Sequence, residues 1–240
     1  MDSPYCISYC VPCHKRIDEL VGVFPSIVAA ANASPPIEIV IVDYGDQPPL
    51  TPQLLPFAEQ LINGSKLVVK EYRGRPHYHM SHARNLSIRA ASGKYIMIGA
   101  TDVVFTPKFF AKIRRRFEET NADYIRAYNR GRWPGIIIIL REELIAAGGF
   151  DERFEFYGPE DKDLRARLNR RNLKDVGFWI EQYMSIIPTP WEEKKKNYRE
   201  LREGRANGRR AMEAVGRAIF EENNLKGVLV ANEGIEWGAG

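Results

Sequence analysis

The sequence predicts an α/β protein, a mostly parallel sheet flanked by helices with a helical appendage at its C-terminal end. Three observations carry that expectation. Short apolar runs alternate with amphipathic segments through the first half of the chain, the pattern of β-α units. Two of those runs stop at an acidic residue, Asp43 and Asp102. From Trp191 onward the apolar runs give way to charged helical sequence.

The elements follow in chain order. A first strand covers about Cys6 to Val11. The helix after it runs from about Arg16 to Ala31, with Leu20, Val23, Phe24, Ile27 and Val28 at helical spacing, until Ser34-Pro35-Pro36 stops it. Ile37–Val42 is a buried strand ending at Asp43, a Gly/Pro-rich loop leads to a helix at Leu54–Ile62, and Lys66–Tyr72 is a third strand. Ser81 to Ala91 reads as a helix ended by Gly93, and Tyr95–Ile98 as a buried strand closing around Asp102. In the second half, Ile136–Leu140 is a strand, Glu142–Ala147 a short helix and Gly148-Gly149-Phe150 a sharp turn. A further helix starts near Pro159.

A chain of 240 residues accommodates one large domain and a tail, drawn here at 1–190 and 191–240. Its 44% hydrophobic and 28% charged residues are those of an ordinary globular protein, which sets aside fibrous, collagen-like and extensively disordered classes. No apolar stretch reaches the ~18–20 residues of a membrane span, and the polar start Met1-Asp2-Ser3-Pro4 is unlike a secretory signal, so a cytoplasmic location is expected. Cys6, Cys10 and Cys13 cannot form a complete disulfide set. With His14 their spacing admits a zinc reading, but two of them fall in the first strand, where small buried thiols suffice.

Open α/β sheets bind ligands beyond the carboxyl ends of their strands, which makes Asp43 and Asp102 candidate contacts; the competing reading is that each is a turn residue. Three segments, in order, add chemistry. Ile39-Val40-Ile41-Val42-Asp43 is the first. The second is Ala83-Arg84-Asn85 followed by Ala91-Ser92-Gly93-Lys94-Tyr95-Ile96. The third is Gly148-Gly149-Phe150-Asp151-Glu152, followed by Gly158-Pro159-Glu160-Asp161. Together they resemble the family 2 glycosyltransferases over about residues 5 to 190. The resemblance implies a GT-A-type, Rossmann-like nucleotide-binding fold and inverting transfer of a sugar from a nucleotide-sugar donor, UDP- or GDP-linked, to a carbohydrate or other hydroxyl.

The same resemblance implies site residues. Asp43 would contact the nucleotide base, and Pro12 and Cys13 would wall the nucleotide. Asp102 would hold a divalent cation, Mn²⁺ or Mg²⁺. Asp161 would be the general base, with Glu160 orienting the acceptor. A metal-held diphosphate is a better leaving group, and a carboxylate accepts the proton of an attacking hydroxyl. The family's Asp-X-Asp becomes Ala100-Thr101-Asp102 here, and all four histidines, His14, His77, His79 and His82, precede residue 83. The metal reading therefore rests on Asp102 with diphosphate and water.

Arg84 is a candidate diphosphate contact, since guanidinium pairs well with phosphate oxygens. His79 and His82 are candidate donor or acceptor contacts. Tyr157, Trp133 and Trp191 are candidates for stacking against a sugar, Tyr157 foremost because it directly precedes the Gly-Pro-Glu-Asp run. Between Trp191 and Arg217 stand nine Lys or Arg and five Glu, a local excess equal to the whole chain's net +4. That excess admits an anionic acceptor, nucleic acid among them, or a solvated helix face. The segment is expected to shape the acceptor side or a partner surface and to be unnecessary for the donor fold. Two other functions share the pattern: a noncatalytic nucleotide- or sugar-binding protein, and a transferase acting on nucleic acid.

Overall fold

The computed structural model describes residues 5–34, 36–75, 77–128, 135–194, 197–198 and 209–239. In chain order the first half holds β1 (Ile7–Cys13), α1 (Ile17–Asn32), β2 (Ile37–Tyr44), α2 (Thr51–Ala58), β3 (Lys66–Tyr72), α3 (Met80–Ala90) and β4 (Tyr95–Ile98). Then come β5 (Val103–Phe105), α4 (Phe109–Thr120), β6 (Tyr124–Tyr128), β7 (Ile137–Leu140) and α5 (Arg141–Ala146). The rest is α6 (Glu160–Arg170), β8 (Asp175–Trp179), β9 (Met184–Ile186), α7 (Trp191–Lys194) and α8 (Arg209–Leu225).

Seven strands form one sheet in the order β3-β2-β1-β4-β7-β6-β8, while β5 and β9 make a separate two-stranded sheet. The β3, β2, β1 and β4 strands run parallel, β7 is antiparallel to both its neighbours, and β6 and β8 are parallel. This is the mostly parallel α/β architecture expected. The second helix begins at Thr51 rather than Leu54, because Pro52 fits the first turn, where a missing N–H costs nothing.

Side chains alternate between the two faces of the sheet with the strand period of two. Ile7, Tyr9, Val11, Ile39, Ile41, Met97 and Ile138 pack against α1 and α4 through Leu20, Phe24, Ile27, Phe109, Phe110 and Phe117. Cys10, Val40, Ile96, Ile98, Ile137 and Ile139 face the other way, onto Ile88, Leu144, Leu164 and Leu168. Cys10 and Cys13 therefore point into opposite layers, and burial raises the pKa of both thiols. They are core residues that no single zinc ion reaches together.

The tail differs from the expected appendage. Trp237 belongs to the second core layer, beside Phe150 and Leu164. Asn223 of α8 is fully buried and donates to Asp151 Oδ2 at 3.0 Å and Asp163 Oδ1 at 2.7 Å. Asp163 is in turn paired with the fully buried Arg167 at 2.8 Å. The Gly238 N–H donates to Glu152, and the Ala239 carbonyl accepts from the His82 ring. Residues 209–239 thus complete the core of the 1–190 unit. Much of the basic stretch between Trp191 and Arg217 lies outside the described residues.

Candidate active site

A cavity of about 880 Å³ opens beyond the carboxyl ends of β1 and β4. One wall comes from the β1–α1 connection (Pro12, His14, Arg16) and from the turn after β4, Gly99 to Val103. The opposite wall comes from Tyr157 to Lys162, at the start of α6, and from Arg209, Glu213 and Arg217 of α8. Arg84 of α3 and Tyr78 close it between them. Of the residues singled out in the sequence, Pro12, Arg84, Asp102, Tyr157, Glu160 and Asp161 line this one space.

Asp102 stands in the turn where the chain leaves β4 for the small β5–β9 sheet, and its carbonyl accepts from Ile187 N at 2.8 Å. Its carboxylate is almost buried. Oδ2 accepts from Arg16 Nη2 at 3.3 Å and from the Thr189 hydroxyl at 3.1 Å, and the same Arg16 nitrogen donates to Thr189 at 2.6 Å. Beside it the Thr101 hydroxyl is 3% exposed, has no hydrogen-bond partner and lies on the cavity wall.

Asp43 and Cys13 are placed differently from expectation: neither lines the cavity. Asp43 is fully buried, and its oxygens accept from Asp46 N at 3.0 Å, Leu50 N at 2.9 Å and Arg73 Nη2 at 3.0 Å. A carboxylate so fully occupied anchors the 43–50 loop. His79 and His82 are likewise buried ties between α3 and its surroundings, and neither lines the cavity. The Trp191 side chain and all of Trp133 lie outside the described residues.

The second and third sequence segments meet as one joint. Asn85 is fully buried; its amide accepts from Phe150 N at 2.8 Å and donates to the Phe150 carbonyl at 2.8 Å and to Glu152 at 2.9 Å. Gly148 and Gly149, at φ of 75° and 65°, make the turn that presents those groups, a conformation L side chains resist. One residue earlier, Arg84 donates to Glu160 Oε1 at 2.8 Å and stacks over the Phe150 ring at 4.8 Å. Arg84 therefore reaches the cavity already paired.

Burial pushes the Glu160 carboxyl up to about 7, against the opposing pull of the Arg84 guanidinium; the neighbouring Asp161 charge adds to the rise. Its Oε2 is buried with no hydrogen-bond partner, and the residue lines the cavity. Asp161 is half-exposed in the first turn of α6, with Oδ1 accepting from Lys162 N at 2.7 Å. Its Oδ2 lies against Gly135, whose φ is 82° and where a Cβ would come within 2.9 Å. Gly135 and Arg16 are site residues that sequence reasoning passed over. The Gly135 signal was present as a glycine directly before an apolar strand.

The chain matches the model of glycosyl transferase family 2 over residues 8–135, more than half its length. The chain belongs to that family. A second match, to the N-terminal domain of galactosyltransferase, covers residues 115–193 and so includes the Glu160–Asp161 turn of this family 2 chain. No curated protein matches the sequence.

Among solved structures the family 2 chain is similar to residues 1–349 of Staphylococcus aureus TarS (TM-score 0.58, 16% identity), covering 84% of this chain and 64% of that one. It thus spans less than two thirds of that protein fragment. The same TarS fragment with UDP aligns at TM-score 0.61 and 16% identity, over 94% and 72% of the two chains. A mannosyltransferase from Pyrobaculum calidifontis with GDP-Man and Mn²⁺ aligns at TM-score 0.62 and 14% identity over 91% and 71%. Glucosyl-3-phosphoglycerate synthase from Mycobacterium tuberculosis, with Mn²⁺, UDP and phosphoglyceric acid, aligns at 0.56 and 16% over 82% and 76%. At these identities the likeness is one of fold.

The Mn²⁺ in two of those neighbours makes the donor set of this chain worth testing. Among the described residues no three His, Cys, Asp or Glu side chains are grouped to hold an ion. The Ala100 side chain supplies no oxygen, its carbonyl accepts from the Tyr9 hydroxyl, and the one carboxylate at the place, Asp102, already carries a guanidinium and a hydroxyl on Oδ2. Hard divalent cations take oxygen ligands and are favoured by an unshared negative charge. A second cation beside Arg16 meets like charge instead, and these residues do not fit one.

Proposed function

We propose that this protein is an inverting glycosyltransferase that moves a sugar from a nucleoside diphosphate to an acceptor hydroxyl. The observation that carries the reading is the single cavity joining the β1 and β4 strand ends to the Glu160–Asp161 turn. The first is where open α/β sheets bind ligands, and the second supplies a carboxylate facing the same space. The family, and the nucleotide and nucleotide-sugar complexes of the neighbours, support a UDP- or GDP-linked donor.

In the reaction the acceptor oxygen attacks the anomeric carbon from the face opposite the diphosphate. Asp161 takes the hydroxyl proton as the new bond forms, and the old C–O bond breaks with its electron pair staying on the β-phosphate oxygen. Gly135 leaves Asp161 room to turn toward the acceptor. Glu160, paired with Arg84, offers its second oxygen to another acceptor hydroxyl, and Tyr157 gives a ring for the sugar face.

Asp161→Asn removes the base and keeps its shape, so turnover should fall ~10²–10⁴-fold with donor affinity nearly unchanged. Transfer rates and nucleotide titration of the variant check this. Wild-type turnover in the variant overturns the assigned role, and a wild-type protein that binds donor but never transfers or hydrolyses it favours a binding protein instead.

A further inference from the structure

We propose that Arg16 holds the donor diphosphate in place of a metal ion, so that donor binding in this chain is independent of divalent cations. The inference rests on the nucleotide-sugar reading above and deepens it.

Arg16 follows the first strand as the N-terminal cap residue of α1, directly on the cavity wall. Its side chain is 13% exposed, and its guanidinium is fixed by Asp102 and Thr189, two groups brought together by the β4–β5 turn and the strand end after β9. Asp102 thereby serves to aim a cation. A guanidinium carries a permanent charge and a planar fork of donors that matches two phosphate oxygens, and it needs no open coordination positions.

Three features point the same place at an anion. Arg16 Nε is buried without a hydrogen-bond acceptor, the Glu19 carboxylate standing 3.5 Å away. The Thr101 hydroxyl is buried, unpartnered and on the same wall. Arg16 is also the cap residue of the α1 N-terminus, an end of a helix that favours negative charge. As the sugar–phosphate bond breaks, the charge left on the β-phosphate oxygen is met by Arg16, while the acceptor proton goes to Asp161.

The test is calorimetric titration of UDP and of GDP into the intact protein, in EDTA and in Mn²⁺, alongside the matching nucleosides. The expected result is one preferred diphosphate bound equally well in both buffers. Arg16→Ala should weaken that diphosphate about 10- to 100-fold, the worth of a charged hydrogen-bonding group, and leave the nucleoside unchanged. Arg16→Lys should fall between. Asp102→Asn keeps an oxygen for Arg16 but loses the charge that fixes it, and should weaken the diphosphate less than Arg16→Ala does, the remaining binding being equal in EDTA and in Mn²⁺.

Binding lost in EDTA and restored by Mn²⁺ overturns the inference while sparing the donor reading. Wild-type affinity in Arg16→Ala does the same, and so does loss of binding in Asp102→Asn accompanied by loss of Mn²⁺ stimulation. If neither diphosphate binds in either buffer, the donor reading itself fails and this inference falls with it.

Discussion

At the scale of single residues, His79 shows how a polar side chain becomes structural by losing its charge. It caps α3, with Nδ1 accepting from His82 N at 3.2 Å while Nε2 donates to the Glu152 carbonyl at 2.9 Å. That arrangement requires a neutral ring. Burial, with the nearby Arg75 charge, pulls its pKa down to about 4. An unfolded imidazole titrates near 6.5, so between the two values the unfolded chain binds a proton that the folded one refuses. Stability is full above the unfolded value and falls as pH drops toward the folded one, by on the order of 3 kcal/mol for a fully buried ring. The Glu160 carboxyl, raised to about 7, binds a proton over the same window and stabilises the fold as pH falls, so the His79 contribution is read as a difference between two proteins in urea midpoints from neutral pH down to about pH 4.5. His79→Asn, which keeps a capping acceptor, should lose less stability than wild type, or gain more, as pH falls through that window. Equal slopes in the two proteins would remove His79 as the cause.

Arg16 illustrates the opposite case, a residue whose importance was hidden by its type. In the sequence it stands beside Lys15 at a helix start, where a basic side chain reads as solvated surface. The partners that give it a role, Asp102 and Thr189, lie 86 and 173 positions away. No local pattern encodes such a triad. Asp43 is the mirror image: a strand-end acid that pattern alone presents as a ligand contact, and that two nearby backbone N–H groups and the more distant Arg73 occupy.

At the scale of elements, the strands from β1 to β4 and the helices between them were legible because each is long enough to display its period. The rest was not. β5 and β9 have three residues each, β8 is a half-buried edge, and β6 carries Arg126 in its middle, so none shows a clean apolar run. The site was legible where it sits on single segments, as with Glu160 and Asp161. It was illegible where one element borrows from another. The joint between α3 and the Gly-Gly-Phe turn is of that second kind. Asn85→Ala strands the Phe150 N–H in the interior, an unpaired buried group costing about 1–3 kcal/mol, while the Phe150 carbonyl keeps its bond from Asn232. Its thermal midpoint should drop, and because Arg84 and Glu160 hang on the same joint, activity should fall beyond what the lost folded fraction explains. A variant with wild-type stability would show that the joint is dispensable.

At the scale of the whole molecule, residues 209–239 contribute side chains to the buried core of the sheet domain. Trp237 is 9% exposed in the second core layer, with Arg89 over its ring at 5.1 Å. Trp237→Ala should cost about 3–5 kcal/mol, as large-to-small changes at buried aromatics do. Denaturant midpoints check it, and a loss below about 1 kcal/mol would place the ring outside the cooperative core. No helix among the described residues is long and apolar enough to cross a membrane.

The close approach of α8 to the Gly158–Pro159 turn has a use beyond packing. Gly216 sits where a Cβ would come within 2.9 Å of Pro159 Cδ and 3.4 Å of Gly158 Cα, directly before the Glu160–Asp161 pair. A methyl group at position 216 is a shim. It pushes the helix bearing Arg209, Glu213 and Arg217 away from the wall bearing Asp161, and leaves the strand-end side untouched. The breadth of the cavity on that side can thus be engineered from the back of a helix, without altering any side chain that faces the space.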